Sequence, residues 1–215
     1  MVIYAGGAKP KSSGGGGGGS STKYGMSLDN ILGDVDENGV LQAYSGDINF
    51  VGTGIRDIGE NGLYYKFYGA ESVKTLSFPD LTKVSGENGC YYSFSGCTNL
   101  ISVDLSNLTT ISGSQACGNM FDRCSSLISV DLSNLTTISG DTACGNMFKS
   151  CSNLPSISFP KLQSIYKYSF YSNTFSSCTA LKEIHFRADM QATVETLNGY
   201  SSKFGASNAT IYFDL

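Results

Sequence analysis

Apolar and polar positions of this chain repeat with a step of 27 residues. Phenylalanines keep this step along five successive units, at Phe67, Phe94, Phe121, Phe148 and Phe175. Pairs of apolar residues separated by one residue keep it too, and these pairs are Val103/Leu105, Val130/Leu132, Ile157/Phe159, Ile184/Phe186 and Ile211/Phe213. A fixed period of 20–50 residues is typical of stacked supersecondary units, because each unit buries its apolar face only against its neighbours. The pattern therefore predicts a solenoid.

The spacing of apolar residues within one unit predicts its elements. Val103 and Leu105 alternate with polar residues, which indicates a strand with one buried face. Leu108 and Ile111 indicate a second short extended segment. Four further apolar residues follow, namely Ala116, Met120, Phe121 and Cys124. Their intervals of four, one and three residues predict one face of a helical turn. We therefore predict an α/β solenoid with a parallel β-sheet on one face and short helical or 3₁₀ turns on the other.

The first repeat deviates from this register. Ile55 and Ile58 stand one place later than Leu81 and Val84 predict. Terminal repeats are often atypical because they cap the stack. We therefore interpret this degenerate unit as a terminal repeat that caps the stack.

The chain divides into four segments by composition. Residues 1–11 form a short N-terminal peptide, which either docks on another chain as a strand or is a frayed terminus. Residues 12–22 are a Gly/Ser linker with six consecutive glycines, a composition typical of a flexible tether. We assign residues 23–45 to an N-terminal capping segment and residues 46–215 to the solenoid.

Charge and hydropathy exclude several classes of partner. The net charge is −4, only 15% of residues are charged, and Lys and Arg form no cluster. Nucleic-acid binding depends on phosphate neutralisation, so we expect no nucleic-acid partner. No apolar run approaches the roughly 18 residues of a membrane-spanning helix, so we expect no membrane insertion. The start of the chain has too short an apolar stretch for a signal peptide.

Seven cysteines fall into two ladders with the same step, namely Cys90/Cys117/Cys144 and Cys97/Cys124/Cys151/Cys178. Equivalent positions of stacked coils lie roughly 4.7–4.9 Å apart. That separation permits a disulfide, but parallel Cβ vectors give it poor torsion. The odd count and the lack of a C-x-x-C motif also favour reduced thiols over disulfides or a zinc site. We expect buried, reduced cysteines.

One unit resembles a known family of repeats. It reads Leu154-x-x-Ile157-x-Phe159-Pro-x-Leu162-x-x-Ile165, and the preceding units end in Met-Phe-x-x-Cys, as at Met120 to Cys124. This resembles leucine-rich repeats of the BspA-like subtype of bacterial surface antigens. The units here are longer, with extra residues in a Ser-Gly-x-x-Ala-Cys-Gly loop. The resemblance implies a leucine-rich repeat solenoid with a non-enzymatic binding or adhesion role on a bacterial or viral exterior.

Two groups of residues are candidates for ligand binding. The first group occupies outward-facing strand positions: Ser102, Asp104, Ser129, Asp131, Ser156, Ser158, Glu183 and His185. These residues offer hydrogen bonds to a glycan or peptide, or they are solvated filler between core positions. The second group is Tyr64, Tyr65, Tyr91 and Tyr92. Tyrosine is enriched at recognition surfaces, but it also seals the end of a solenoid core.

Catalysis and metal binding have little support in the sequence. His185 is the only histidine, and no serine or cysteine is spaced to act as its nucleophile. Residues 34–39 match the opening of a calcium loop, but its twelfth position is Ser45 instead of glutamate. A polar turn explains the same residues. We expect no enzyme activity, no cofactor and no metal.

These observations favour an adhesion protein. The ligand would be a bacterial surface glycan or protein, as in host recognition. Without a visible signal peptide, we expect display on a phage virion as a tail-associated protein; a place on a bacterial cell exterior is the other possibility and would need a signal or anchor. The alternative is a structural spacer or decoration protein of a virion, in which residues 1–11 attach to a virion structural protein.

Overall fold

The structure is a computed structural model that describes residues 46–49, 55–171 and 173–215, and it is a stack of coils. Each regular coil contains a strand of three to five residues and a strand of two residues, followed by a segment of turns. The strands are β1 (Gly46–Asn49), β2 (Asp57–Ile58), β3 (Val73–Ser77), β4 (Lys83–Val84), β5 (Ser102–Asp104), β6 (Thr110–Ile111), β7 (Ser129–Asp131), β8 (Thr137–Ile138), β9 (Ser156–Phe159), β10 (Ser164–Ile165), β11 (Glu183–Phe186) and β12 (Thr210–Phe213). The predicted N-terminal peptide, linker and capping segment lie outside the described residues.

All of the described strand pairs are parallel. The longer strands form two sheets, ordered β1-β3-β5-β7 and β9-β11-β12, and the two-residue strands form a third, ordered β2-β4-β6-β8-β10. Val103 pairs with Val130, 27 residues later, which confirms the repeat. Ile58 pairs with Val84, 26 residues later, so the one-place displacement seen in the sequence is present in the pairing. The two-residue strands of the third sheet correspond to the second extended segment predicted for each unit.

A proline interrupts the longer-strand ladder between β7 and β9. In the column just before these strands, the Ile128 N–H donates to the Ile101 carbonyl over 2.9 Å. Pro155 takes the next place in this column and has no N–H to donate to Ile128. Its carbonyl still accepts from the Lys182 N–H over 2.9 Å, and β7 remains in contact with β9. The two sheets therefore form one face with a missing hydrogen bond at Pro155.

The third side of each coil is a ribbon of turns, which corrects the predicted helical face. The Cys117 N–H donates to the Ala143 carbonyl of the next coil over 2.8 Å, and the Gly118 N–H donates back to the Gln115 carbonyl over 3.0 Å. This alternation continues along the segment and leaves no N–H groups for a continuous α-helical ladder. Every fourth residue is left-handed, and in this coil these residues are Gln115, Asn119 and Arg123. Between residues 55 and 171, the described chain contains no helix.

One column of glycines permits the close approach of successive coils. A Cβ atom on Gly113 would lie 2.0 Å from the Gly86 carbonyl oxygen, and one on Gly140 would lie 1.9 Å from the Gly113 carbonyl oxygen. Real Cβ atoms do not approach backbone so closely, so any side chain here would push two coils apart. Glycine is therefore required at these positions for packing.

The phenylalanines of the 27-residue ladder form a stacked column in the core. Successive ring centroids from Phe67 to Phe175 lie 5.1, 6.1, 5.8 and 5.6 Å apart. These rings are at most 1% exposed. Offset stacking of this kind stabilises aromatic pairs beyond the burial of their surface. Stacking of these rings therefore stabilises the contact between neighbouring coils.

The cysteines are buried and unpaired, which confirms the expectation of reduced thiols. The Cys124 Sγ donates to the Phe94 carbonyl over 3.2 Å, and three equivalent bonds join Cys97, Cys151 and Cys178 to the phenylalanine column. Burial raises the pKa of the Cys97 and Cys178 thiols to about 12. These thiols stay protonated near neutral pH, so they act as core residues and not as nucleophiles.

The last coil replaces its two-residue strand by helical turns, which the sequence pattern does not predict. They are Ala188–Met190, Gln191–Val194 and Tyr200–Gly205, between β11 and β12. The Phe204 ring is fully buried, 5.5 Å from that of Phe170. Its carbonyl accepts from the Phe175 N–H over 2.8 Å, so this segment covers the end of the phenylalanine column.

In the described part of the chain, no helix has the length and apolar character needed to cross a bilayer.

Candidate ligand-binding surfaces

A groove runs across the outer face of the longer strands. Its volume is about 620 Å³, and its lining is Thr75, Leu76, Ser77, Ser102, Val103, Asp104, Ser129, Val130, Asp131, Leu132, Ser133 and Ser158. Five of the predicted site residues therefore meet here, since Ser102 pairs with Ser129, Asp104 pairs with Asp131, and Ser158 follows on β9. We call this surface the sheet groove.

Asp104 is held in place in the sheet groove. The Ser77 hydroxyl donates to its Oδ2 over 3.1 Å, and the Ser106 N–H donates to its Oδ1 over 2.9 Å. Burial raises the pKa of Asp104, but these hydrogen bonds outweigh burial and leave the pKa below its usual value. Asp131 accepts from the Ser133 N–H over 2.9 Å in the same way. The groove therefore presents two ordered carboxylates on neighbouring strands.

The remaining predicted strand residues extend this face toward the C-terminal end. Ser156 pairs with Glu183, and Ser158 pairs with His185. The His185 ring lies 2.9 Å from an Asp214 carboxylate oxygen and 3.4 Å from that of Glu183. Burial lowers the pKa of His185, but the bonds to Asp214 and Glu183 outweigh it and raise the pKa above its ordinary value. The histidine has acidic partners that the sequence analysis did not identify.

The four predicted tyrosines lie on the turn side of the coils, away from the sheet groove. The Tyr65 and Tyr92 rings stack with centroids 4.8 Å apart, and the Tyr64 and Tyr91 rings stack at 5.8 Å. Tyr68 joins them, 5.5 Å from Tyr65. Tyr64 is 42% exposed and the others are half-buried. These rings form a surface patch and do not fill the core.

Two of these tyrosines have an unusual backbone. Tyr65 and Tyr92 have φ values of 54° and 52°, a left-handed conformation that is rare for bulky residues. Asn119 and Asn146 occupy the same column in later coils, with φ values of 53° and 55°. Asparagine adopts this conformation more readily. The conformation recurs at every fourth residue of the ribbon of turns and is therefore a feature of the fold.

A second groove continues from the tyrosine patch along the turns. Its volume is about 290 Å³, and its lining is Tyr91, Gln115, Gly118, Asn119, Thr142, Gly145, Asn146, Tyr171 and Asn173. We call it the turn groove. Of these residues, the sequence analysis selected only Tyr91. The repeated Gly-Asn pair at 118–119 and 145–146 is the signal in the sequence that marks this groove.

The described residues contain no group of histidine, cysteine and acidic side chains arranged to hold a metal ion. The residues of the calcium-loop motif, 34–39, lie outside the part of the chain that the structure describes.

Three solved structures share similarity with this chain. A leucine-rich repeat protein from T. pallidum is 20% identical, covers 78% of this chain and 69% of its own, and has a TM-score of 0.43. A leucine-rich cell surface protein from Faecalibacterium prausnitzii A2-165 is 18% identical, with a TM-score of 0.42; the match covers 72% of this chain and 40% of that protein. A leucine-rich repeat protein from Bacteroides ovatus ATCC 8483 is 16% identical, with coverages of 71% and 68% and a TM-score of 0.25.

All three proteins are bacterial, and these comparisons give no support to a phage origin. No curated protein sequence matches the chain. A family model does match: the BspA type leucine-rich repeat region, in six copies, at residues 53–174 and 145–201. These matches span more than half of the 215 residues and coincide with the stacked coils. The chain belongs to the BspA-type leucine-rich repeat family.

Proposed function

We propose that this chain is a non-enzymatic binding module that attaches to a protein or glycan on a cell exterior through the sheet groove. The observation that carries the proposal is the ordered row of hydroxyl and carboxylate groups along that groove. A ligand with exposed basic side chains, and therefore a protein, fits the groove best.

Charge supports a basic ligand. Asp104 and Asp131 are paired on neighbouring strands, and like charges at that spacing are unfavourable. A lysine or arginine between them would relieve this repulsion and form charge-assisted hydrogen bonds. The net charge of −4 would also speed the approach of a basic partner.

The hydroxyl groups of the groove are available to a ligand. Within the described residues, the Ser102, Ser129 and Ser158 side chains make no hydrogen bond, and Ser129 and Ser158 are exposed. Parallel coils fix these groups in register, so little conformational entropy is lost when they bind. A preorganised polar row of this kind suits recognition.

We place the module on a cell exterior because the resemblance of its repeats is to bacterial surface antigens. Display on a virion has no support from the comparisons. The rival function is a spacer that separates other parts and has no ligand of its own.

The test is a binding screen of the full chain against bacterial surface proteins, host matrix proteins and surface polysaccharides. Neutralising the groove with Asp104→Asn and Asp131→Asn together should weaken the best interaction at least tenfold and reduce its salt dependence. Asp141→Asn, an exposed carboxylate outside the groove, is the matched control and should leave affinity unchanged.

Two outcomes would contradict the proposal. Binding that survives the double substitution would place the ligand elsewhere on the molecule. A chain that binds none of these surfaces would be a spacer.

A further inference from the structure

The turn groove has a floor without side chains. Gly118 and Gly145 stand in successive coils, in the column that Tyr64 and Tyr91 occupy earlier in the chain. Among the described residues, a Cβ atom on Gly145 would meet only Thr142, with its nearest atom 3.3 Å away. The tyrosine column thus ends at Tyr91, and two glycines follow it.

Free amide groups line this groove. They belong to Gln115, Asn119 and Asn146. Their side chains make no hydrogen bond to any described residue. Asn119 is only 6% exposed. Its amide atoms are not among the fully enclosed polar atoms that lack a partner, so they reach the groove and can donate to and accept from a polar ligand there.

Aromatic rings stand at the two ends of the groove. The Tyr91 ring leans over Gly118, since a Cβ atom there would lie 2.9 Å from the Tyr91 Cδ2 atom. Tyr171 lines the opposite end, where Phe170 enters the core and the ribbon of turns is interrupted. The two tyrosines belong to coils that are three spacings apart, roughly 14 Å at strand separation.

The chemistry of the lining selects the class of ligand. Within the part of the chain that the structure describes, no charged side chain lines the groove. Amides donate and accept together, which matches the adjacent hydroxyl groups of a sugar, and a tyrosine ring packs against the C–H face of a pyranose. We propose that the turn groove binds a short, neutral oligosaccharide, with its pyranose rings against Tyr91 and Tyr171 and its hydroxyl groups on Gln115, Asn119 and Asn146.

This site is separate from the sheet groove and does not depend on the function proposed for that surface. The turn groove is long enough for a few sugar units. The tyrosine patch lies on the same side of the coils, so a longer sugar chain could continue over it. The lack of charge excludes phosphorylated or uronic-acid polymers as its preferred ligands.

The test uses the full chain and defined probes. Neutral oligosaccharides of glucose, mannose, galactose and N-acetylglucosamine, together with one uronic-acid oligomer, are screened by NMR line broadening, and the best binder is then titrated by calorimetry. We expect at least one neutral oligosaccharide to bind and the uronic-acid oligomer to bind at least tenfold more weakly.

Glycine substitutions separate binding from folding. Asn146→Gly and Asn119→Gly remove an amide where the backbone is left-handed, which glycine adopts freely, so thermal stability should not fall. Each should weaken the oligosaccharide at least fivefold, and Tyr91→Ala at least tenfold. Asn61→Gly removes a left-handed asparagine outside the groove and is the matched control.

The sheet-groove variant with Asp104→Asn and Asp131→Asn should bind the oligosaccharide as the unmodified chain does. If no neutral oligosaccharide binds at millimolar concentration, or if the asparagine variants bind as tightly as Asn61→Gly, the proposal is wrong. Loss of binding in the sheet-groove variant alone would assign the sugar to the other surface and also overturn it.

Discussion

The phenylalanine column predicts a large loss of stability when Phe121 is replaced by alanine. The ring is completely buried, with the Phe94 ring 6.1 Å on one side and the Phe148 ring 5.8 Å on the other. Replacing a buried phenylalanine by alanine costs about 3–5 kcal/mol through lost transfer free energy and the remaining cavity. The cost depends on how far the surroundings collapse into the space.

Collapse is restricted around Phe121. Its N–H donates to the Met147 carbonyl over 2.9 Å, and the Phe94 N–H donates to the Met120 carbonyl over 3.1 Å, so inter-coil hydrogen bonds fix the spacing of the rings. We therefore expect a loss of about 4–5 kcal/mol, at the upper end of that range. This is a large fraction of the roughly 5–15 kcal/mol that stabilises a typical domain.

The measurement is urea unfolding followed by far-ultraviolet circular dichroism and tyrosine fluorescence, as the chain has no tryptophan. Phe121→Leu is the matched control, because it keeps an apolar side chain in the space and should cost much less than alanine. A loss below about 1 kcal/mol for Phe121→Ala would show that the column does not hold adjacent coils together.

Two further substitutions test the packing of the coils and the C-terminal charges. Gly113→Ala should cost about 3 kcal/mol or more in a denaturant melt, because its methyl group would meet the Gly86 carbonyl at 2.0 Å, whereas Gly145→Ala should cost less than about 1 kcal/mol. Equal losses would refute the close-packing argument. Protonated His185 should stabilise the folded chain, since its folded pKa is raised; this contribution is present below the unfolded pKa near 6.5 and is lost as pH rises through the folded value. His185→Gln should therefore destabilise the chain more at pH 5.5 than at pH 9 in paired melts, and a pH-independent difference would contradict the assignment.

The parallel pairing could be predicted because side chains mark it directly. Val103 and Val130 differ by one repeat, and the structure pairs them. The one-place displacement of Ile58 against Val84 was equally visible and is present in the pairing. Apolar periodicity reports which residues face inward, and that information is sufficient to stack coils of equal length.

The ribbon of turns could not be predicted from the same signal. Met120, Phe121 and Cys124 face inward as a helical face would, so their spacing fits both structures. The difference lies in the backbone, where hydrogen bonds to the next coil replace those within a helix. Those partners are 26 residues away, and no local pattern contains them.

One of the two candidate surfaces could be predicted from the sequence, and the other could not. The strand positions of the sheet groove follow from alternation, so Asp104 and Asp131 were identified in advance. The turn groove was missed because Gln115, Asn119 and Tyr171 meet there only after the coils stack and the last coil is interrupted.

The sequence alone determined the repeat, the inward-facing residues and the family, because burial requires the same apolar pattern in every coil. Only the tertiary structure decided how the backbone between those residues is hydrogen-bonded, where Pro155 breaks the ladder and which polar side chains remain free to bind. The physical reason is that the apolar or polar character of each residue indicates whether it is buried. Hydrogen-bond partners and surface grooves, in contrast, arise from segments that meet only when the coils are stacked.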